Sequence, residues 1–256
     1  MNNRIALVTG AGRGIGRACS LALAAAGTRV AVTARSQDET SRLASEIREA
    51  GGEAHSIVDD LSDREAPGRI LRQVREVWGP VEILVNNAGV GSSQNPKPLV
   101  EFDDDFWDLT FRVNVTAPYL LTKLVLSEMF AAGWGRIINI ASINSKIPTV
   151  HGAAYVASKH ALAGLTKATA KEAAAHGVTA NAVCPGVTAT LMNDKRIEYD
   201  AQRLGKSFED VETQSSPLGR RLVPEEIAAL VHFLASDAAG AINGQLINVC
   251  GGTVMM

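Results

Sequence analysis

Short β-branched apolar runs alternate along the chain with longer segments of helical period. The runs IALV (5–8), VAVT (30–33), HSIV (55–58), EILV (82–85), RIINI (136–140), TANAV (179–183) and LINV (246–249) predict strands. Between them, residues 15–23, 37–50, 63–78, 105–132, 153–175 and 224–235 carry apolar positions at i, i+3, i+4 or dense alanine, which predicts helices. Strand–helix alternation implies βαβ units, hence an α/β fold: a single doubly wound parallel sheet with helices on both faces. Nearly unbroken apolar strands fit a sheet buried on both sides.

Two stretches break the rhythm. Residues 90–104 (VGSSQNPKPLVEFDD) are marked as a loop by Gly, Ser, Asn and Pro. Residues 187–217 mix charges with Leu191, Met192, Ile197, Tyr199, Leu204 and Phe208. Long excursions of this kind act as lids or binding loops, and both follow strands, on the carboxyl edge where open α/β sheets bind ligands. No repeat, low-complexity tract or Pro/Gly/Ser linker divides the chain, so residues 1–256 are expected to form one domain with a substrate-loop excursion at 187–217.

Composition narrows the function classes. The 256 residues include 25 basic and 27 acidic side chains, a formal net charge of -2, which provides no basic field for nucleic acid. The 3 cysteines (Cys19, Cys184, Cys250) are scattered and form no CxxC pair; neither a disulfide framework nor a zinc site is expected. The histidines show no metal-ligand spacing, and no metal is expected. No window approaches a membrane span, and the opening MNNRIALVTG is too soon broken by glycine for a signal peptide, so the expectation is a cytoplasmic protein.

Thr9-Gly10-Ala11-Gly12-Arg13-Gly14-Ile15-Gly16 joins the first strand to the first helix. Glycines there permit a tight turn, admit a pyrophosphate close to the backbone, and leave N–H groups of a helix N-terminus aimed at it. The pattern is TGxxxGxG rather than GxGxxG, and its place within a βαβ unit predicts dinucleotide binding in a Rossmann-type sheet of about seven strands. The second strand ends Val32-Thr33-Ala34-Arg35-Ser36. An acid at that point would hold a ribose 2′-hydroxyl, whereas an arginine accommodates a 2′-phosphate. With Arg35 there, Arg13 in the loop and no acid before Asp38, NADP(H) is the expected cofactor.

His151-Gly-Ala-Ala-Tyr155-Val-Ala-Ser-Lys159 opens an alanine-rich helix, so Tyr155 and Lys159, at i and i+4, share one face. An ammonium near a phenol favours the phenolate and draws its pKa toward working pH. RIINI ends in Ala141-Ser142, a hydroxyl at a strand carboxyl end. Asn86-Asn87-Ala88-Gly89 follows the fourth strand, and Asn114 interrupts a predicted helix where asparagine is a poor former.

In this order, TGAGRGIG, NNAG, Asn114, Ser142 and Tyr155-x-x-x-Lys159 resemble the short-chain dehydrogenase/reductase family, from about residue 4 to 253. The resemblance implies that Tyr155 is the general acid/base and that Lys159 lowers its pKa and holds the nicotinamide ribose. It implies that Ser142 binds the carbonyl oxygen and Asn114 a relay water. On the cofactor side it implies Gly10, Gly12, Arg13, Gly14, Ile15, Gly16 and Arg35, Asp60 and Leu61 at adenine, and Asn87, Ala88 and Gly89. Pro185-Gly186-Val187-Thr188-Ala189-Thr190 matches the family's PGxxxT turn, so Val187 and Thr190 would meet the carboxamide.

VHGAAYVASKH, NAVCPG and NVCGG look similar to polyketide ketoreductases and 3-oxoacyl reductases. The expected reaction is the interconversion of a ketone and a secondary alcohol, on a free small molecule or an acyl thioester. The alternative is an acyl-carrier-protein-dependent reductase. Against it, the positions where carrier-protein reductases of the family present basic residues are Gly133 and His176 here, although Lys97, Arg196, Arg203 and Lys206 lie near the mouth. Leu191, Met192, Ile197, Tyr199 and Phe208 are the expected apolar wall, with Ser92, Ser93, Gln94 and Asn95 opposite. A non-catalytic NADP-sensing module, the alternative of another class, would be expected to lose Tyr155, Lys159 or Ser142. Helices 105–132 and 153–175 are apolar on more than one side, and the resemblance implies a homotetramer built through them.

Overall fold

The computed structural model describes residues 3–256, so residues 1 and 2 of the expected 1–256 unit lie outside the described part. Seven strands form one parallel sheet: β1 (Ile5–Thr9), β2 (Arg29–Ala34), β3 (Ala54–Val58), β4 (Ile83–Asn86), β5 (Gly135–Ile140), β6 (Val178–Pro185) and β7 (Leu246–Val249). Their order is β3-β2-β1-β4-β5-β6-β7, and each of the seven coincides with a predicted apolar run. Leu7 lies level with Ala31 on one side and Leu84 on the other.

The alternation of side chains along each strand divides the core between the two faces. Ala6, Val8, Val32, Val85 and Ile138 point to one face, covered by α1 (Gly14–Ala25), α2 (Gln37–Glu49) and α9 (Pro224–Ala235). Ile5, Leu7, Ile57, Leu84 and Ile137 point to the other, against α3 (Ala66–Val77), α5 (Ala117–Ala132) and α6 (Ala153–Ala173). With both faces covered the strands are largely apolar, and the buried asparagines among them are paired: Asn86 Nδ2 donates to Asn139 Oδ1 at 2.8 Å and Asn139 Nδ2 to Thr166 Oγ1 at 2.8 Å.

Three elements depart from expectation. The helix expected over 63–78 starts only at Ala66, because Asp63 accepts from the Glu65 N–H at 3.0 Å and makes a turn of its own before the first helical turn, which holds Pro67. The helix expected over 105–132 is α4 (Asp104–Phe111) followed by α5, joined by one π turn, Arg112–Thr116. The excursion 187–217 is not loop throughout: it contains α7 (Leu191–Leu204) and α8 (Phe208–Thr213), capped by Thr190 and Ser207.

The strand order reverses beside β1, with β2 on one side and β4 on the other. At such a switch point the connections leave in opposite directions and open a crevice at the carboxyl edge. The π turn, α7 and the residue 90–104 loop all meet there. Among the described residues no helix is long and apolar enough to cross a membrane.

Candidate active site

The glycine loop is shaped for close approach. Gly10 has φ +60°, and a Cβ there would stand 2.8 Å from Ala88 Cα. At Gly16 a Cβ would stand 2.3 Å from Gly10 O and 2.4 Å from Asn87 Nδ2. Both positions therefore exclude a side chain. Thr9 Oγ1 accepts from the N–H groups of Asn87 and Ala88, each at 3.0 Å, while Asn87 Nδ2 donates to Thr9 O at 2.8 Å and Gly10 O at 3.0 Å. These bonds lock the β4 turn to the β1 turn. Across the crevice Thr190, the cap of α7, packs on Gly14, where a Cβ would be 3.1 Å from its Cγ2. The N-termini of α1 and α7 thus face one another, an arrangement that favours anionic groups between them.

These surfaces enclose one cleft of about 1320 Å³. Gly10, Gly12, Arg13, Gly14, Ile15, Arg35, Asp60, Leu61, Asn87, Ala88, Gly89, Ser142, Tyr155, Lys159, Pro185, Gly186, Val187 and Thr190 all line it. Gly16 lies behind the loop and does not. A dinucleotide fits this cradle, because the backbone bears no Cβ where a pyrophosphate would press and two arginines flank the far end.

The end of β2 carries no acid, as the sequence reads, but two carboxylates from other elements reach the arginine end. Glu39, in the first turn of α2, faces Arg13 with Oε1 3.3 Å from Nη1, and Asp60 Oδ2 stands 4.0 Å from Arg35 Nη1. Counting along β2 could not place Glu39, because a helix turn folds it back over the loop.

At the other end Tyr155, Lys159 and Ser142 converge. Lys159 is buried and donates to Ile140 O at 2.8 Å. Its burial lowers its pKa to about 8. Burial also raises the Tyr155 pKa, with a hydrogen bond to Ser142 pulling the other way. The Lys159 ammonium is 5.7 Å from the Tyr155 ring centre. Ser142 Oγ accepts from Asn144 N–H at 3.0 Å, so its own proton points away from the backbone. Its carbonyl is held by Ser145 Oγ at 2.5 Å.

Asn114 sits in the π turn, fully buried and one layer behind the cleft. Its Oδ1 accepts from Val90 N–H at 2.7 Å, and its Nδ2 donates to Val90 O and Ser158 Oγ, both at 3.0 Å. Both amide protons are committed, so a relay water would have to donate to the second lone pair of Oδ1. The π turn widens the helix and brings this amide into line, a device found often at functional sites.

On the substrate side Leu191, Met192, Ser92, Ser93 and Gln94 line the cleft as expected, but Ile197, Tyr199, Phe208 and Asn95 do not. Ile197 is buried under α7. Tyr199 bonds His151 Nδ1 at 2.6 Å, and Phe208 lies under the Arg221 guanidinium. Leu109, Val113, Ile143, Ile147 and Thr149 complete the wall; their apolar or small side chains carried no signal separating wall from core. Arg196 also lines it, joined to Asp200 at 2.8 Å and to Val150 O at 2.8 Å.

The family model described as short chain dehydrogenase matches residues 4–201. The chain is 36% identical over 262 residues to D-beta-hydroxybutyrate dehydrogenase of Cupriavidus necator, covering 99% of each. It is 37% identical over 254 residues to a 3-oxoacyl-(acyl-carrier-protein) reductase of Synechocystis, covering 98% of this chain and 97% of that one. The crystal structure of a single-substitution variant of actinorhodin polyketide ketoreductase with NADPH superposes with a TM-score of 0.92 at 38% identity, over 98% of both chains.

Proposed function

The chain belongs to the short chain dehydrogenase family, and from that premise we propose that it is an NADP(H)-dependent oxidoreductase interconverting a ketone and a secondary alcohol. The observation that carries this reading is the convergence of Tyr155, Lys159 and Ser142 in one cleft with the glycine cradle. When bound, the nicotinamide supplies or accepts the hydride; everything else falls to the protein.

Ser142 presents an outward hydroxyl proton that holds the substrate oxygen. Tyr155, which lines the same cleft as Ser142, stands where it can deliver the phenol proton to that same oxygen. Its raised pKa keeps it protonated at neutral pH, which suits carbonyl reduction. Lys159 binds from beneath and sets the local field, and Asn114 fixes the β4 turn against α6 through Val90 and Ser158. Gly10 to Gly16, Val187 and Thr190 hold the dinucleotide, with Arg13 and Arg35 toward its 2′-phosphate.

A free small ketone or acyl thioester is favoured over a carrier-bound substrate. Of the basic residues near the mouth, Arg196 and Arg203 share Asp200, at 2.8 Å and 3.1 Å, whereas Lys206 bonds the neutral Gln214 at 2.8 Å and Lys97 is exposed. His176 stacks on Phe130 at 4.1 Å and Gly133 offers no charge. With no lysine or arginine at either of those two positions, an acidic carrier protein would meet less positive potential there.

The whole chain is taken as one catalytic unit in the cytoplasm, with the N-terminal half of α7 covering the substrate. A homotetramer built through α4–α5 and α6 is proposed from the family resemblance, with Trp107, Tyr119 and Leu124 exposed on the first of these. Light scattering that gave a monomer at micromolar concentration would end that part.

The first test is fluorescence titration with NADPH and NADH, then an NADPH-coupled panel of ketones, β-keto esters and acyl thioesters. The expected result is tighter binding of NADPH, weakened in Arg35→Ala, and turnover of a ketone. Equal or better binding of NADH would remove the 2′-phosphate assignment.

A further inference from the structure

The fold places a carboxylate at the arginine end of the cleft that β2 itself lacks. Ser36 caps α2 by accepting from the Glu39 N–H at 3.3 Å, which fixes Glu39 in the first turn. From there its side chain reaches back over the glycine loop. Oε1 pairs with Arg13 Nη1 at 3.3 Å, and Oε2 lies 2.5 Å from the point a Cβ on Gly12 would occupy. Glu39 therefore rests directly on Gly12, in the same cleft as Arg13, Arg35 and Asp60. Since Asp60 stands 4.0 Å from Arg35, each guanidinium faces a carboxylate and the four charges cancel.

We propose that Glu39 is a specificity-determining residue for the cofactor, an internal counter-anion on Arg13 that competes with the 2′-phosphate and holds the preference for NADPH over NADH below what the two arginines alone would set. The proposal rests on the NADP(H) reading above. A phosphate ester brings a charge of about -1.5 to -2. It must draw Arg13 off Glu39, and because that pair is largely exposed the release costs little. The carboxylate nevertheless stays tethered to α2 beside the loop, so its repulsion of the phosphate persists. NADH presents a neutral hydroxyl at the same carbon, so it senses the charge on Glu39 only through the pyrophosphate, which both dinucleotides share and which cancels from their ratio.

The test is fluorescence titration of NADPH and NADH against the wild-type protein, Glu39→Gln and Glu39→Asp, at low and high salt, with circular dichroism melts to confirm folding. Glu39→Gln is expected to lower the Kd for NADPH about two- to fivefold, the scale of an exposed charge pair, with the Kd for NADH unchanged within error. The gain should shrink as salt screens the pair. Glu39→Asp, which keeps the charge, should stay nearer the wild-type ratio. Unchanged or weaker NADPH binding in folded Glu39→Gln overturns the proposal. So does a loss of NADH affinity, which would make Glu39 a direct ligand of the ribose. If the wild-type protein bound neither dinucleotide, the cofactor reading itself would fall; an unchanged ratio in a protein that binds NADPH removes only the role of Glu39.

Discussion

Lys159 donates to the Ile140 carbonyl at 2.8 Å, and its nitrogen lies 5.7 Å from the centre of the Tyr155 ring. The two groups share a buried site, and burial moves them in opposite directions: the lysine falls to about 8 and the tyrosine rises. The lysine therefore titrates first. As pH rises through about 8 its charge is lost while Tyr155 still carries its proton. kcat/KM for reduction is expected to be level near neutrality and to fall above about pH 8, and the break should vanish in Lys159→Met. A profile that stays flat to about pH 10, the ordinary range of a phenol, would separate Lys159 from turnover.

Tyr155→Phe removes the transferable proton and leaves the ring in place. General acid–base groups contribute about 10²–10⁴-fold, so kcat should fall by that range. The NADPH Kd should hold within a few-fold, because the cradle of Gly10 to Gly16 lies at the other end of the cleft. Stopped-flow turnover alongside equilibrium titration separates the two, and near-normal kcat in the variant would assign proton delivery elsewhere.

The sheet was legible because each strand is a short apolar run closed by glycine or polar residues, as IALV is by Thr9-Gly10. Tyr155 and Lys159 were legible because i, i+4 on a helix is a fixed distance. What stayed hidden depended on tertiary folding. Glu39 reaches Gly12 only because Ser36 starts a helix that doubles back. The π turn at Asn114 left only an unfavourable propensity as its trace. Within α7, Met192 faces the cleft while Ile197 packs beneath it; both are apolar, and helical period alone does not say which side faces substrate.

Gly16→Ala tests the lock between the two turns. Its Cβ would meet Gly10 O at 2.3 Å and Asn87 Nδ2 at 2.4 Å, contacts that backbone must relieve. Overpacking of this kind costs about 1–3 kcal/mol, and in a domain this size each kcal/mol lowers Tm by about 2–4 °C. NADPH affinity should fall with it, since the displaced loop is the cradle. Unchanged Tm and affinity would show that the loop yields freely.

Arg196 ties three segments that frame the substrate end. Its guanidinium donates to Asp200 within α7, to Ser92 Oγ at 3.3 Å in the 90–104 loop, and to Thr149 Oγ1 at 3.3 Å and Val150 O at 2.8 Å just before α6. One turn along α7, Tyr199 adds its bond to His151, which is held at φ +56°. None of these groups touches the reacting end, so the strap should act on binding rather than on chemistry. In Arg196→Met, Asp200 keeps Arg203 as a partner and is not left alone. Losing the remaining bonds should cost about 1–3 kcal/mol of stability. KM for the ketone is expected to rise about tenfold with kcat within about threefold, the pattern of lost ground-state positioning. A fall in kcat at constant KM would instead place Arg196 in the transition state and α7 much closer to the reacting carbon.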